Sequence, residues 1–180
     1  LGAGRASSER VVGQAPACRV TGLLELQALL PYTLTGSQRR AIDEILADMA
    51  QNVPMSRMVV GDVGCGKTIC AAAAIVAAVK SGYQAALMVP TEILARQHYA
   101  DLSVLLEKMG ISVGLLIGAE TASQKKKILE SLRSKDRSER LDVVIGTQAL
   151  LTDGVSFAAP GLVITDEQHR FGVAQRAALS

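Results

Sequence analysis

Eight consecutive residues have the types and the spacing of a phosphate-binding loop. The stretch Gly61-Asp62-Val63-Gly64-Cys65-Gly66-Lys67-Thr68 fits the pattern G-x-x-x-x-G-K-[ST]. Its glycines allow the backbone to wrap a polyphosphate, with the N–H groups pointing inward as donors. Lys67 would bring a positive charge to the β- and γ-phosphates, and the Thr68 hydroxyl would ligate Mg²⁺. The stretch therefore predicts a nucleoside triphosphate site; the alternative is a Gly-rich strand–helix turn with an incidental lysine.

Two adjacent acids follow an apolar run near the end of the printed sequence. Leu162-Val163-Ile164-Thr165 is typical of a buried strand, and Asp166 and Glu167 come directly after it. An acid at this place can hold Mg²⁺, usually through water, and the next acid can orient or deprotonate the attacking water. We assign the metal to Asp166 and the water to Glu167, which makes these two residues and Lys67 the predicted catalytic set. The alternative is an acid pair on a solvated surface.

Alternating strands and helices must position these residues. The apolar runs predict strands at 58–60, 84–89, 113–117, 141–145 and 161–165, with helices at 23–30, 37–52, 69–80, 92–109 and 121–132. Continuous Val/Ile/Leu strands separated by helices indicate an α/β domain, a parallel β-sheet with helices on both faces. Right-handed crossovers place the carboxyl ends of such strands along one edge, where ligands bind. Both motifs are expected at that edge.

Composition narrows the class of protein. The 180 residues are 49% hydrophobic with a net charge of +2, which fits one globular domain and gives no electrostatic argument for nucleic-acid binding. Apolar stretches are too short for a membrane span, and no secretory signal opens the chain. Three cysteines without zinc spacing favour a reducing intracellular compartment. Residues 1–22 are interpreted as a linker or the end of a preceding segment of a longer protein, residues 23–180 as the domain, and the charged residues 133–140 as a solvated loop.

Five stretches, in this order, carry a family resemblance. They are Leu30-Pro31-Tyr32-Thr33-Leu34-Thr35 with Gln38; Gly61 to Thr68; Pro90-Thr91-Glu92-Ile93-Leu94-Ala95 with Gln97-His98; Ile145-Gly146-Thr147-Gln148-Ala149-Leu150; and Asp166-Glu167-Gln168-His169-Arg170-Phe171-Gly172-Val173 with Gln175-Arg176. Together they resemble the first RecA-like motor domain of superfamily 2 helicases, most closely the RecG family, which are translocases of branched DNA. The resemblance covers roughly residues 23–179. The transcription-repair coupling factor family is similar at the loop and at His169-Arg170-Phe171-Gly172, but less so at 90–95.

The resemblance implies ATP and Mg²⁺ as ligands and gives further residues a role. Gln38 would read the adenine edge, since its amide is both donor and acceptor. Five positions would hold the phosphates of a DNA strand without reading its sequence: Pro90, Thr91, Gly118, Gly146 and Thr147. Three more would couple ATP to a second motor domain: Gln168, His169 and Arg170. Arg96 either adds charge for DNA or lies on a solvated helix face, and His98 is interpreted as a helix-packing residue.

This sequence departs from the family pattern at two positions. Gln148 stands where the family usually has His, and Cys65 replaces the commoner Ser within the loop. These departures affect one predicted DNA-facing segment and one loop position, and the small swap at Cys65 still allows the backbone to wrap a phosphate.

The family clamps ATP between two motor domains, and the arginine finger comes from the second. We therefore expect the ATP-binding half of an ATP-dependent DNA helicase, poorly active alone, in the bacterial cytoplasm or an organelle. Its partners would be branched or single-stranded DNA and the parent's second RecA-like and wedge domains, with no membrane. Three alternatives remain: an ATP/DNA-binding module without turnover, a translocase domain like the coupling factor, and a small-molecule P-loop kinase whose lid would be residues 133–140.

Overall fold

Strands and helices alternate along the chain as predicted. The computed structural model describes residues 6–13, 20–51, 53–62, 66–152 and 154–166, with the backbone alone for 6–13, 20 and 21. The elements are β1 (Ala6–Gly13), α1 (Val20–Leu29), α2 (Gly36–Met49), β2 (Met55–Asp62), α3 (Lys67–Lys80), β3 (Gln84–Met88), α4 (Glu92–Glu107), β4 (Val113–Leu116), α5 (Ala122–Arg133), β5 (Val143–Gly146), a short 3₁₀ helix (Gln148–Leu151) and β6 (Pro160–Asp166).

Four strands form the predicted parallel sheet. The order of the six described strands is β2-β1-β6-β3-β5-β4, and β6, β3, β5 and β4 run parallel. In this register Leu87 of β3 lies between Ile164 of β6 and Ile145 of β5. The carboxyl ends of these strands consequently lie along one edge, as the topology predicts for parallel strands.

Strand β1 differs from the prediction. It pairs antiparallel with β2 on one side and with β6 on the other, whereas no strand was predicted within residues 1–22, which were interpreted as a linker or the end of a preceding segment. Its sequence, Ala-Ser-Ser-Glu-Arg-Val-Val-Gly, contains no alternation of apolar and polar residues that would predict a strand. Backbone hydrogen bonds to two neighbours form the strand, and the backbone makes them whatever the side-chain pattern.

Helix α3 fills the centre of one layer. Every residue from Ile69 to Val79 is buried, because α1, α2 and α4 pack around the helix and the sheet lies beneath it. The other face of the sheet is covered by α5 and the 3₁₀ helix, where Leu132 packs with Ala86, Leu116 and Val144. Helices therefore lie on both faces, which confirms the predicted α/β architecture.

Two buried polar side chains join the loops at the amino ends of the strands. Gln84 is 1% exposed; its Nε2 donates to Leu132 O at 3.0 Å and Leu141 O at 2.7 Å, and its Oε1 accepts from Ala159 N at 2.9 Å. Arg140 was predicted to be solvated but is 8% exposed, and its Nη2 donates to Gly82 O at 3.0 Å. The burial of Arg140 is explained by the Gly82 carbonyl, which requires a hydrogen-bond donor. The high charge of residues 133–140, from which a solvated loop was predicted, could not reveal this contact.

No helix in the described part of the chain has the length and apolar character needed to cross a membrane.

Candidate functional site

A cleft of about 500 Å³ lies where β2 ends and α3 begins. It brings Gln38 together with four residues of the phosphate-binding loop, Gly61, Asp62, Gly66 and Lys67. Residues 63–65 of the loop, Val63, Gly64 and Cys65, lie outside the described residues. Thr68 borders a neighbouring pocket of about 400 Å³ between α1, α3 and α4. The lining of the first cleft is Thr35, Ser37, Gln38, Ala41, Val59, Val60, Gly61, Asp62, Gly66, Lys67 and Cys70.

The loop presents Lys67 and a helix N-terminus to this cleft. The Lys67 Nζ donates to Gly61 O at 2.9 Å and to Asp62 O at 2.8 Å. Gly66 caps α3 in the left-handed conformation, with φ +80°, where a side chain would be strained. The first N–H groups of α3 and its positive dipole end therefore stand beside the ammonium group, an arrangement suited to a polyphosphate.

Gln38 reaches the cleft from α2. Its Oε1 accepts from Thr35 N at 3.0 Å, and its own N–H donates to Thr35 Oγ1 at 3.2 Å, which forms a capping box. Its Nε2 lies against the loop, because a Cβ placed on Gly66 would be 2.3 Å from it. The side-chain amide thus lies at the edge of the cleft beside Gly66, and its predicted role in adenine recognition stays a prediction.

A cluster of charges fixes α2 to β2 and so holds Gln38 near the loop. Arg57 of β2 contacts Glu44 at 2.6 Å and Asp48 at 2.7 Å, both on α2. The hydrogen bond to Asp48 is the largest cause that raises the pKa of Arg57 above its ordinary value; the charge of Asp48 and the hydrogen bond and charge of Glu44 add to it, against the desolvation of the guanidinium. Sequence reasoning missed this residue, because the pairing joins a strand to a helix that a turn separates.

Asp166 lies at the carboxyl end of β6 beside α4. Its Oδ2 is 3.4 Å from His98 Nε2, and the two side chains are 13% and 14% exposed. Glu167 and the predicted coupling residues Gln168, His169 and Arg170 lie outside the described residues. Within the described ranges no group of three or more His, Cys, Asp or Glu side chains could hold a metal by itself. The predicted ligands, the Thr68 hydroxyl and the Asp166 carboxylate, still fit Mg²⁺, because this ion commonly uses one or two protein ligands together with phosphate oxygens.

The residues predicted to contact DNA follow β3, β4 and β5 at the same edge of the sheet. Gly146 pairs with Met88 of β3 and Leu116 of β4, so the turns that follow these three strands are neighbours. Thr91 and Gly118 are exposed, and Pro90 and Thr147 are half-buried. Gly146 is buried, and a Cβ there would be 2.3 Å from Leu116 O, so its lack of a side chain also permits this close packing. Contact with DNA stays a prediction for all five residues.

Glu92 joins two of these turns. Its Oε1 accepts from Ala119 N at 3.0 Å, which ties the start of α4 to the loop after β4. Arg96 makes a second link to that loop, with Nη2 3.3 Å from Glu120 Oε1. Lys125 Nζ donates to Gly118 O at 2.6 Å from the other side. In the sequence, Glu92 is recognisable only as a carboxylate in the first turn of a helix. That position predicts a favourable interaction with the helix dipole, but it does not predict the hydrogen bond to the loop after β4.

Comparison with known proteins gives matches to helicases. Residues 35–180 match the DEAD/DEAH box helicase family. The ATP-dependent DNA helicase RecG of Aquifex aeolicus (strain VF5) is 52% identical over 147 residues, which are 82% of this chain and 18% of that protein. A chloroplastic/mitochondrial RecG homologue of Arabidopsis thaliana is 45% identical over 152 residues, 82% of this chain and 15% of that protein.

A solved structure of RecG bound to a three-way DNA junction has a similar fold. It superposes with a TM-score of 0.73 at 42% sequence identity, over 83% of this chain and 20% of that chain. This chain thus spans about a fifth of the length of the relatives it matches.

Proposed function

Because the chain belongs to the DEAD/DEAH box helicase family, we propose that it is the ATP-binding motor domain of a RecG-like DNA helicase. The parent enzyme would couple ATP hydrolysis to the remodelling of branched DNA, such as forks and junctions, in recombination and repair. One observation carries the proposal. The phosphate loop at the end of β2, Asp166 as the last residue of β6 and the turn after β3 lie at the edge where strands of one sheet end, and His98 of α4 contacts Asp166.

In this proposal the loop binds ATP by exchanging hydrogen bonds. Lys67 Nζ would leave the carbonyls of Gly61 and Asp62 for phosphate oxygens, while the N-terminus of α3 donates to the same phosphates. Gln38 would contact the base. Thr68 and Asp166 would hold Mg²⁺, which supplies charge neutralisation on the phosphates when it is bound. Glu167 would orient the attacking water.

DNA would lie across the turns at the carboxyl ends of β3, β4 and β5. Thr91, Gly118 and Thr147 reach the surface there, and Glu92 holds two of these turns together. Contacts from backbone N–H and hydroxyl groups to phosphates position a strand without reading its bases. The partners would be DNA and the parent's second RecA-like and wedge domains, which Gln168, His169 and Arg170 would help to couple. A bacterial cytoplasmic or organellar location fits the sources of the relatives.

The kinase alternative is disfavoured by the position of its candidate lid. Arg140 donates to Gly82 O and Arg137 to Val79 O, and both carbonyls precede β3. These arginines therefore lie at the amino ends of the strands, at the edge of the sheet opposite to the one that carries the phosphate loop. A lid would have to close over the opposite edge.

The experiment that tests the proposed function uses the intact protein, by which we mean the proposed parent enzyme with its second motor domain. It measures the rate of ATP hydrolysis with and without a synthetic three-way DNA junction. We expect stimulation by the junction that Lys67→Ala abolishes. An intact protein that binds ATP but shows no hydrolysis with any DNA would support the binding module without turnover and contradict the helicase.

A further inference from the structure

His98 lies on the face of α4 that packs against the rest of the domain. Ala95, Leu102 and Leu106, which share this face by their helical spacing, are exposed by only 0%, 2% and 0%. His98 falls between the first two, and its side chain is 14% exposed. A polar ring in such a row is expected to have a polar partner, since burial without one is unfavourable.

Among the described residues, Asp166 is a polar partner of His98. The His98 Nε2 is 3.4 Å from Asp166 Oδ2, and both side chains are largely shielded from water. An imidazole that carries a hydrogen on Nε2 can donate toward a carboxylate whether the ring is neutral or charged. The contact engages one carboxylate oxygen at the end of β6, where the chain leaves the sheet.

We propose that His98 is a positioning residue for Asp166. The imidazole fixes the orientation of the carboxylate that holds Mg²⁺ together with ATP; this inference rests on the proposed function, and specifically on the role given to Asp166. Partners of this kind, one step removed from a metal, commonly set the direction of the ligand and raise metal affinity.

Helix α4 is a suitable support for such a residue because its first turn is held in place. The Thr91 Oγ1 accepts from Leu94 N at 3.3 Å, and Glu92 ties the helix start to Ala119. His98 follows Thr91 by two helical turns, or about 10 Å along the axis. One helix therefore connects the turn proposed to face DNA with the carboxylate proposed to face the metal.

The test measures how much Mg²⁺ strengthens nucleotide binding in the intact protein. An N-methylanthraniloyl ATP analogue is titrated by fluorescence with Mg²⁺ and again with a chelator. For His98→Ala we expect the strengthening by Mg²⁺ to fall about tenfold, as for other partners of metal ligands, with binding in the chelator unchanged. His98→Gln, whose Nε2 can reach the same carboxylate, should recover most of the effect. Gln97→Ala, an exposed neighbour on α4, is the matched control and should behave as the unsubstituted protein.

Asp166→Asn separates failure of the inference from failure of the proposed function. If Asp166→Asn leaves the Mg²⁺ effect intact, the metal role of Asp166 is wrong and the inference falls with it. If Asp166→Asn removes the effect but His98→Ala does not, or if the double variant shows the sum of two losses, His98 does not act through Asp166. Should His98→Ala fail to fold, His98→Asn takes its place: the shorter amide should lose the Mg²⁺ effect, and retention would overturn the proposal.

Discussion

Within the described part of the loop that is proposed to hold phosphates, Lys67 donates to two backbone carbonyls. Its Nζ contacts the carbonyls of Gly61 and Asp62, so phosphate binding replaces existing bonds and adds a charge pair. We predict that Lys67→Ala weakens binding of Mg-ATP by roughly 10- to 100-fold, the range for hydrogen bonds to charged groups of about 1.5–3 kcal/mol. Titration calorimetry measures the affinity, and thermal unfolding serves as the control for the fold. Equal affinities of Lys67→Ala and the unsubstituted protein would show that the loop does not bind the phosphates of ATP.

Gln38 has a cap role and a proposed base-reading role, and a second helix makes it possible to separate them. The pair Thr121 and Gln124 forms the same capping box on α5, far from the cleft in the chain. Gln38→Ala and Gln124→Ala should each lower stability by about 0.5–1 kcal/mol, because each loses a cap contact.

The two variants should differ in nucleotide preference. We predict that only Gln38→Ala reduces the preference for ATP over GTP, which competition binding on both variants measures. A preference that survives in Gln38→Ala would show that the side chain only caps α2.

At the scale of elements, the link between α4 and the loop after β4 sets the spacing of two turns that are proposed to hold DNA. Glu92→Ala removes the acceptor for Ala119 N, whereas Glu92→Gln removes the same charge and keeps an acceptor oxygen. We predict that Glu92→Ala binds a single-stranded oligonucleotide several-fold more weakly than Glu92→Gln, with ATP binding equal in the two.

Because Glu92→Ala and Glu92→Gln both remove one negative charge, a comparison of the two variants isolates the hydrogen bond from the change in charge. Glu130→Ala on α5, which loses a carboxylate from an exposed pair with Lys126, gives the effect of charge alone. Equal DNA affinities for Glu92→Ala and Glu92→Gln would rule out a contribution of the hydrogen bond to DNA binding.

The order of the helices α1 to α5 and the strands β2 to β6 could be predicted because each helix has apolar spacing, a cap or a stop signal in its own sequence and each strand is a short apolar run. Thr35, Thr91 and Thr121 cap α2, α4 and α5, and Pro31 follows α1. Strand β1 could not be predicted, because only its neighbours define it. The 3₁₀ helix at 148–151 is a single turn, too short to have a period.

The positions of the candidate site residues could be predicted where the motif is continuous and not where the fold brings distant residues together. The loop and Asp166 lie at the carboxyl ends of strands, so their position could be inferred from the topology. The pairs Glu92 with Ala119 and His98 with Asp166 each join separate segments, and no local pattern specifies them. His98 was interpreted as a packing residue; its burial agrees, and its polar partner is what the sequence did not reveal.

For the whole molecule, the 180-residue chain tested alone should hydrolyse ATP very slowly, even with DNA. The proposed second motor domain would supply an arginine finger, a group that contributes about 10³–10⁵ in rate in other nucleotidases. Phosphate release in a coupled assay measures the rate, with Glu167→Gln as the background. Robust DNA-stimulated hydrolysis that Glu167→Gln abolishes would show that one domain suffices.

DNA binding by the same chain should be weak and strongly dependent on salt. The net charge is +2, so little long-range attraction assists binding and the contacts would be local ones to phosphates. Counterion release then makes the affinity fall steeply as salt rises. Fluorescence anisotropy of a labelled strand across a salt series measures the slope. Tight binding that persists at high salt would indicate base readout instead.

The burial of every residue of α3 from Ile69 to Val79 determines how this sequence can vary. Its alanines at 71–74, 77 and 78 are all at most 4% exposed, so neighbouring elements approach the helix from every side. A larger side chain would force these elements apart, and a smaller one is available only as glycine, which weakens a helix. Helix α5, where Leu132 is the buried residue among those described, can instead accept changes at most positions. In a library of single substitutions selected for function, residues 69–79 of α3 should therefore appear as one unbroken intolerant segment, and diversification there would require compensating changes in α1, α2 or α4.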